Sequence, residues 1–353
     1  MMKTFNIAED TITTQITVTN GFFDGGVGTL AGSNFTTSSL SATQKSYYYN
    51  LQYNSKDHFS ITYGHIDGSG SAEETATTEG TTQAIYKQFY NFTETSAENL
   101  RDTAGFSMVD GTDGTNEVTQ KDVYILAAER LQMKDRLNPG TWTVTLSGSI
   151  SDGSSDSIHL TDDSKTVNAE SAPFGPRYHI VSGSAGSVHT AYTTKTYGFF
   201  YPDAGLMVLS ANALSSSLPG DAGLVTSGSG NLTSQGTGLA PDLRVADAVD
   251  NANKLTLALQ KGSVTLRSEE QQYIYDYFCR AKASEFNLSQ NLTFWSGSDY
   301  GIRHSDMVTN PQTFISEVGL YDGQNSLLAV GRLSSPINKN FSSEAIVKVR
   351  LTY

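Results

Sequence analysis

The stretch that most clearly predicts the fold is Phe314-Ile315-Ser316-Glu317-Val318-Gly319-Leu320-Tyr321-Asp322, followed by Gly323-Gln324-Asn325 and then Ser326-Leu327-Leu328-Ala329-Val330-Gly331-Arg332-Leu333. Turn-forming residues separate two apolar runs, which is the pattern of a β-hairpin. Residues 345–353 alternate apolar and polar side chains, which predicts a further strand. We therefore predict that residues 314–316, 327–333 and 345–351 form one antiparallel sheet that carries the fold.

The turn and the core positions of this block carry further predictions. Gly323 is expected to adopt a positive φ, and Asp322 to accept hydrogen bonds within the turn. Leu320 and Ile346 are expected in a packed core, where truncation to Ala typically costs ~2–5 kcal/mol. Tyr321 has two interpretations: its amphipathic ring docks a partner at an exposed edge, or the hairpin is internal to the fold.

The composition of the 353-residue chain favours strands over helices. Charged residues make up only 17% of the chain and aromatic residues 10%, and 32 glycines separate short apolar runs. Ser and Thr are abundant throughout. Such short runs with many aromatic and β-branched residues are typical of β-structure. We predict a mainly β protein, an antiparallel β-sandwich or sheet body with a few short α-helices and long Ser/Gly-rich loops.

Changes in pattern along the chain predict four regions. Residues 1–45 are weakly periodic and Gly-rich, which favours an extended N-terminal arm ordered by a neighbouring chain. Residues 46–146 predict a β-rich domain with a short helix, and residues 147–240 a β-rich region with long loops. Within the latter, Ser, Asp and Gly dominate residues 147–172, which is typical of an exposed hairpin or a mobile insertion. Residues 241–353 predict a C-terminal helix plus an antiparallel β-domain.

Shorter patterns predict individual elements. Spacings of three and four predict a helix over residues 82–92, and residues 123–126 read as a buried strand. Alternation places Trp142, Val144 and Leu146 on one face of another strand. Residues 197–209 predict a hairpin with Pro-Asp-Ala-Gly at its turn.

The charge balance excludes some partners. The net charge is −13 and the isoelectric point is about 4.8, whereas a nucleic-acid surface needs clustered Lys and Arg to neutralise phosphates. No segment approaches the ~20 apolar residues that span a bilayer, and acidic residues stand where a signal peptide would be apolar. We expect no nucleic acid and no membrane as partners, and synthesis in a cytoplasm, where the protein stays unless an assembly carries it out.

The search for catalytic chemistry finds weak signals. The single cysteine, Cys279, lies among aromatic residues and reads as an inert core thiol. The pair Glu269-Glu270 reads as solvated charge, because adjacent strand residues point to opposite faces and cannot flank one glycosidic bond. No nucleophile elbow, phosphate loop or zinc motif occurs in the sequence. We expect no enzyme activity, no catalytic residue, no cofactor and no metal.

Several packing and turn motifs resemble one protein family. They are Phe59-Ser60-Ile61-Thr62-Tyr63-Gly64-His65, Ala84-Ile85-Tyr86-Lys87-Gln88-Phe89, Asp135-Arg136-Leu137-Asn138-Pro139-Gly140-Thr141-Trp142, Tyr197-Gly198-Phe199-Phe200-Tyr201-Pro202-Asp203-Ala204-Gly205 and the terminal block at residues 314–353. Together they resemble virion structural proteins of contractile-tailed (myovirus-type) bacteriophages, especially the baseplate wedge and tail components of phages of cyanobacteria and other marine hosts. The resemblance covers most of the chain from about residue 45 onward.

The resemblance implies a role in assembly. It implies a structural component of the phage tail, namely a baseplate wedge subunit located in the virion. The subunit is expected to form a homo-oligomer, specifically a dimer. It is also expected to bind other tail and baseplate proteins and to contact a tail fibre. The candidate interface residues are Tyr321, Leu320, Phe314 and Tyr353. A neck, collar or fibre-attachment protein is an alternative within the same class, and a receptor-binding or depolymerase tail protein is an alternative outside it.

Overall fold

The computed structural model describes residues 3–37, 48–66, 82–94, 105–109, 117–149, 155–217, 248–289, 291–299 and 301–353. The described helices are α1 (Ile7–Asp10), α2 (Thr82–Thr93), α3 (Arg130–Met133), α4 (Ala211–Ser217), α5 (Ala248–Lys261) and α6 (Asp306–Thr309). The described strands up to residue 188 are β1 (Thr11–Gly21), β2 (Thr29–Ala31), β3 (Thr36–Thr37), β4 (Tyr49–Tyr53), β5 (Lys56–His65), β6 (Ser107–Val109), β7 (Glu117–Thr119), β8 (Asp122–Ala128), β9 (Arg136–Leu137), β10 (Thr143–Ser149), β11 (Ser155–Asp162), β12 (Glu170–Ala172), β13 (Gly175–Ser184) and β14 (Ser187–Val188).

The later strands are β15 (Gly198–Tyr201), β16 (Leu206–Ser210), β17 (Ser263–Thr265), β18 (Arg267–Ala281), β19 (Trp295–Ser296), β20 (Gly301–Ile302), β21 (Thr313–Tyr321), β22 (Leu327–Lys339) and β23 (Ala345–Thr352). The protein is therefore mainly β with antiparallel sheets and a few short helices, and the predicted fold class is confirmed.

The chain forms two compact units. The terminal unit combines Met1–Thr17 with Gln271–Tyr353, and the central unit is Val18–Glu270. This division differs from the boundaries predicted at residues 45, 146 and 240. Helix α5 and the strands after it, which the sequence groups together, are divided between the two units.

A large antiparallel sheet forms the central unit. Its main path runs β2-β17-β10-β11-β13-β15-β16-β8-β5-β4-β3, with β12 and β14 paired to β13 outside that path. The middle strand β8 has a continuous apolar run, because the sheet is covered on both faces. Val123 and Ile125 join one buried cluster, and Tyr124 and Leu126 join the other.

Helices cover both faces of this sheet. Helix α2 buries Ile85 and Tyr86 in the smaller cluster, and α5 buries Ala252, Leu255 and Leu259 in the larger one. The helix predicted over residues 82–92 is confirmed, as is the buried strand at residues 123–126. Trp142, Val144 and Leu146 are all buried in the larger cluster, as their alternation predicts. Strands β15 and β16 form the predicted hairpin, with residues 202–205 as its turn.

The predicted N-terminal arm is wrong for the described residues. Phe22, Phe23, Leu30 and Phe35 are buried in the central core, and aromatic packing fixes them there: the rings of Phe22 and Phe59 stack with centroids 5.1 Å apart. Further towards the N-terminus, β1 pairs with β18 of the same chain. Glycines weaken the periodicity of this region, but the aromatic side chains between them anchor it.

The segment predicted as an exposed hairpin or a mobile insertion does contribute to a hairpin, since β10 pairs antiparallel with β11, but β11 is also a core strand. In β11, Leu160, Thr161 and Asp162 are fully buried. Their polar atoms are paired: Thr161 donates to the Trp142 carbonyl at 2.7 Å, and both carboxylate oxygens of Asp162 accept from the Gly140 N–H at 2.9 Å. Burial raises the pKa of Asp162, against the opposing effect of these hydrogen bonds. Polar composition misleads here because backbone groups replace water as the partners.

The prediction of a single terminal sheet is also wrong. Strands β21 and β22 pair with each other and form a separate hairpin. Strand β23 instead pairs antiparallel with β18, from Ile274 opposite Thr352 to Ala281 opposite Ala345. The sequence shows the strands but not their partners, because β18 lies more than 60 residues away from β23 along the chain.

Candidate assembly surface

The terminal unit has no large apolar side chain buried among its described residues. Every member of the two apolar core clusters lies in the central unit. In the described part of the terminal unit the buried apolar residues are Ala281 and Ala345, which lie opposite each other on β18 and β23. Ile346, predicted to be core, is 59% exposed. The large apolar side chains of this unit therefore lie at or near its surface.

The hairpin β21–β22 has two unlike faces. Cross-strand pairs on one face are half-buried: Val318 opposite Gly331, and Leu320 opposite Ala329. The other face is exposed and ends in a group of four apolar side chains, which we call the hairpin patch. Its members are Tyr321, Leu327, Leu328 and Val330, with exposed fractions of 48%, 53%, 68% and 55%.

Gly319 permits the packing within the hairpin patch. It pairs with Val330 across the hairpin, and a Cβ at this position would lie 2.9 Å from a ring carbon of Tyr321 and 3.3 Å from Leu327. The Tyr321 ring therefore lies against the backbone beside Leu327. An aromatic ring fixed in this way needs little ordering when a partner covers it.

The turn that carries the patch is held by Asp322. Its Oδ1 accepts from the N–H groups of Gln324 at 2.8 Å and Ser326 at 2.7 Å, which confirms the predicted role of this carboxylate. The positive φ, however, is at Asn325, with φ 63°, and the prediction for Gly323 is wrong. Asn tolerates the left-handed region better than most residues, so the Asx turn places the unusual conformation there.

A charge cluster lies on one face of the β18–β23 pair. Asp276 is opposite Arg350, which donates to both of its carboxylate oxygens at 2.8 and 2.9 Å, and Lys348 Nζ lies 2.8 Å away from the same carboxylate. The hydrogen bonds from Arg350 and then Lys348 hold the pKa of Asp276 well below its usual range, and Asp276 in turn raises the pKa of Arg350. This cluster fixes the register of the two strands.

The four candidate interface residues do not form one surface. Tyr321 belongs to the hairpin patch, whereas Phe314, 62% exposed, lies at the other end of the hairpin opposite Asn338. Leu320 is half-buried on the opposite face of the hairpin. Tyr353, 69% exposed, packs edge-on against Tyr275 on β18 with ring centroids 5.7 Å apart.

The sequence reasoning missed the other three members of the hairpin patch. Leu327, Leu328 and Val330 belong to an apolar run with two adjacent leucines. Regular alternation would place these leucines on opposite faces, but the register shifts between Leu320 and Tyr321, which lets both belong to the hairpin patch. In a strand with one solvated face this run would alternate with polar residues. That departure is a sequence signal that apolar side chains also lie on the exposed face of the hairpin.

The central unit holds a polar cluster that the sequence also did not indicate. Arg177 on β13 donates to Glu170 and to Glu94 at the end of α2, and Tyr201 donates to Glu94 as well. Burial would lower the pKa of Arg177, but Glu170 and Glu94 raise it overall. Burial and Glu94 raise the pKa of Tyr201 well above its usual value. These hydrogen bonds tie the end of α2 to the sheet.

His179 extends this cluster on the same sheet. Its Nδ1 lies 3.2 Å from Asp163 and its Nε2 lies 3.6 Å from Glu170, while its ring stacks on Tyr192 with centroids 4.2 Å apart. The two carboxylates and the stacked ring hold the imidazole in place. In the part of the chain that the structure describes, no group of three or more His, Cys, Asp or Glu side chains is arranged to hold a metal ion.

Two minor predictions need correction. Glu269 is only 8% exposed and accepts from Arg136 Nε at 2.5 Å, so it is a buried ion-pair partner rather than solvated charge; Glu270, whose carboxylate is 3.8 Å from Lys134, is more exposed. Cys279 is half-buried on β18 rather than in a core. Burial, with a smaller effect of Asp10, raises the pKa of its thiol.

Comparisons with known proteins found no match to this chain. No protein-family model, no curated protein and no solved structure matches it. Within the described residues, none of the helices combines the length and the apolar character that crossing a membrane requires.

Proposed function

We propose that this protein is a structural component of a bacteriophage tail, specifically a baseplate wedge subunit of a contractile-tailed phage. The central unit is the folded body of the subunit, and the terminal unit is its assembly module. The module binds copies of the same chain and neighbouring tail proteins through β-rich interfaces, in the virion. The motif resemblance described above supports the assignment to a contractile phage tail. The contrast between the two units supports the role of the terminal unit in assembly.

The observation that carries the proposal is the missing apolar core of the terminal unit. Fully burying one Leu, Ile or Phe side chain contributes ~1.5–3 kcal/mol, and ordering one residue of backbone costs ~1–2 kcal/mol. The described part of the terminal unit orders long strands but buries only two alanines among its apolar residues. Such a unit gains most of its stability when another surface covers its apolar side chains, as in obligate interfaces.

The test is the location of the protein in the particle. Virions purified from lysates of the phage that encodes the chain are analysed by mass spectrometry, and an antibody against the central unit is used for immunogold labelling. We expect the protein in purified virions in fixed stoichiometry to the tail tube, with label at the baseplate.

A matched control separates incorporation from contamination. A host protein of similar abundance in the lysate should fall to background in the purified particles, while this chain stays constant through successive gradients. Absence from particles, or loss on each gradient, overturns the proposal; label at the neck retains the structural role and replaces the baseplate assignment.

A further inference from the structure

Building on the proposed function, we infer that the hairpin patch is a self-association surface, which packs against the same patch of a second copy of this chain around a two-fold axis. The patch consists of Tyr321, Leu327, Leu328 and Val330, as defined above. Three observations identify the occupant as a second copy: the charge distribution of the chain, the ion pair beside the patch, and the size of the patch.

The charge distribution allows the terminal units to approach each other. Of the net charge of −13, the terminal unit carries only −1, with eight Lys and Arg against nine Asp and Glu, so the central unit carries −12. The eight cations are Lys3, Arg280, Lys282, Arg303, Arg332, Lys339, Lys348 and Arg350, and the nine anions are Glu9, Asp10, Asp276, Glu285, Asp299, Asp306, Glu317, Asp322 and Glu344. Central units of two copies repel, whereas terminal units do not, which directs self-association to the terminal unit.

The ion pair beside the patch is complementary to itself. Glu317 and Arg332 lie opposite each other on the exposed face of the hairpin, with Nη2 2.8 Å from Oε1. A two-fold axis that lies between the two packed faces and runs parallel to the strands brings Glu317 of each copy towards Arg332 of the other, since an isologous contact exchanges the two positions. A face that carries one charge of each sign at paired positions therefore suits a copy of itself.

The size of the patch fits the centre of a dimer interface. If a fully exposed large side chain presents on the order of 150–200 Å², the four exposed fractions give roughly 400 Å² of apolar surface per copy. A stable interface buries about 800 Å² per partner, with an apolar centre and a polar rim. The patch supplies that centre, and Glu317, Arg332 and the polar turn residues supply the rim.

The free edge of β23 is a poorer contact between copies. Lys348 and Arg350 lie two residues apart on the same face, and Asp276 supplies one carboxylate for both. Antiparallel pairing of β23 with its own copy would bring four cations together against two carboxylates, which is a common device against edge-to-edge pairing. Face packing of the hairpins avoids this repulsion.

The first experiment measures the association of the full-length protein by sedimentation velocity over a dilution series. We expect a reversible monomer–dimer equilibrium in the wild type. Leu328→Glu places a carboxylate in the contact and should raise the dissociation constant more than about tenfold. Leu131→Glu is the matched control, because Leu131 is 85% exposed in the central unit, outside the patch, and should leave the constant unchanged.

The second experiment uses charge reversal and mixing. Glu317→Arg alone and Arg332→Glu alone each place like charges at the contact, so each variant should sediment as a monomer. An equimolar mixture of the two should form a heterodimer, because the opposite charges then face each other across the two-fold axis. Within each copy the like-charge pair persists in the mixture, so a restored association cannot come from repair of the hairpin itself.

These outcomes decide the inference separately from the proposed function. A wild type that remains monomeric at all concentrations, a Leu328→Glu variant that dimerises normally, or a mixture that stays monomeric overturns self-association through the patch. Circular dichroism of each variant, matched to the wild type, shows that the fold is retained. The virion location tests the proposed function alone, so incorporation of a monomeric protein would retain the tail role and assign the patch to another tail protein.

Discussion

Truncating one apolar side chain in each unit, buried in the central unit and exposed in the terminal unit, tests the contrast that supports the assembly role. Leu146 is fully buried in the central core, whereas Ile346 is 59% exposed on β23. Leu146→Ala and Ile346→Ala each remove similar apolar volume. The comparison therefore isolates the effect of burial on the free energy of unfolding.

The expected magnitudes follow from the two exposures. A Leu→Ala change in a packed core removes apolar burial and leaves a cavity, and it costs ~2–5 kcal/mol. Ile346 keeps less than half of its surface buried, so its removal should cost below ~1 kcal/mol from the loss of burial, with little cavity. We expect a difference of at least about 1 kcal/mol between the two variants.

Urea unfolding followed by tryptophan fluorescence measures this difference. The chain has 2 tryptophans, the buried Trp142 in the central unit and Trp295 in the terminal unit. A Trp295→Phe background leaves Trp142 as the single reporter of the central unit, and a Trp142→Phe background leaves Trp295 as the reporter of the terminal unit. Leu146→Ala should move the Trp142 transition, and Ile346→Ala should leave both transitions nearly unchanged in dilute protein.

Equal losses of stability in the two variants would refute the reasoning, because the terminal unit would then contain a packed core around Ile346. A Leu146→Ala variant with unchanged stability would refute the assignment of the central core. Leu320→Ala provides an intermediate case, since Leu320 is half-buried on the inner face of the hairpin. Its cost should lie between those of the other two variants.

Three further predictions concern single contacts. Tyr86→Phe should destabilise the central unit by about 1–3 kcal/mol in urea unfolding. The Tyr86 hydroxyl accepts from the Phe106 N–H and donates to the Gln120 carbonyl in a buried site, so its removal leaves both groups without this partner. An unchanged urea midpoint would contradict this prediction. Asp276→Asn should lower the melting temperature of the terminal unit at pH 7. The folded pKa of Asp276 is depressed, so its stabilisation is fully present above the usual pKa near ~4 and is lost progressively as the pH falls from there towards the folded pKa. The difference in melting temperature between variant and wild type should therefore narrow at pH 3, and a constant difference would refute the role of the charge. Asn325→Val should increase the rate of amide hydrogen exchange in the hairpin, since a β-branched residue with φ 63° costs roughly 1–2 kcal/mol. Asn325→Gly should leave the exchange rate unchanged, because Gly adopts this φ without strain. Equal exchange rates in the two variants would exclude strain at this position.

Local sequence patterns predict the helices and strands of this fold well where apolar residues recur with a clear period. The run at residues 123–126 and the alternation around Trp142 identify strands, because burial on one or both faces imposes a periodicity that the sequence records. The helix over residues 82–92 is recognised for the same reason. Mainly β structure follows from these signals and the composition.

Pairing and polar burial could not be predicted in the same way. Strand β23 pairs with β18 rather than with its neighbour β22, and periodicity contains no information on which strand lies alongside. The buried Asp162 and Thr161 depend on backbone groups contributed by distant residues, so their hydrophilic sequence suggests exposure. Of the candidate surface, Tyr321 was recognised and Leu328 was not, because a β-hairpin pattern does not specify which face is covered.

The division of the chain has a consequence for the order of events during synthesis. The terminal unit is assembled from Met1–Thr17 and Gln271–Tyr353, and the 253 residues from Val18 to Glu270 must be made before its second segment, with most of strand β18, can meet β1. At ~5–20 residues per second this is a delay of roughly 10–50 s, during which the central unit can fold. The hairpin β21–β22 is made later still, so on the proposed role of the terminal unit, contact between copies would follow folding of the central unit.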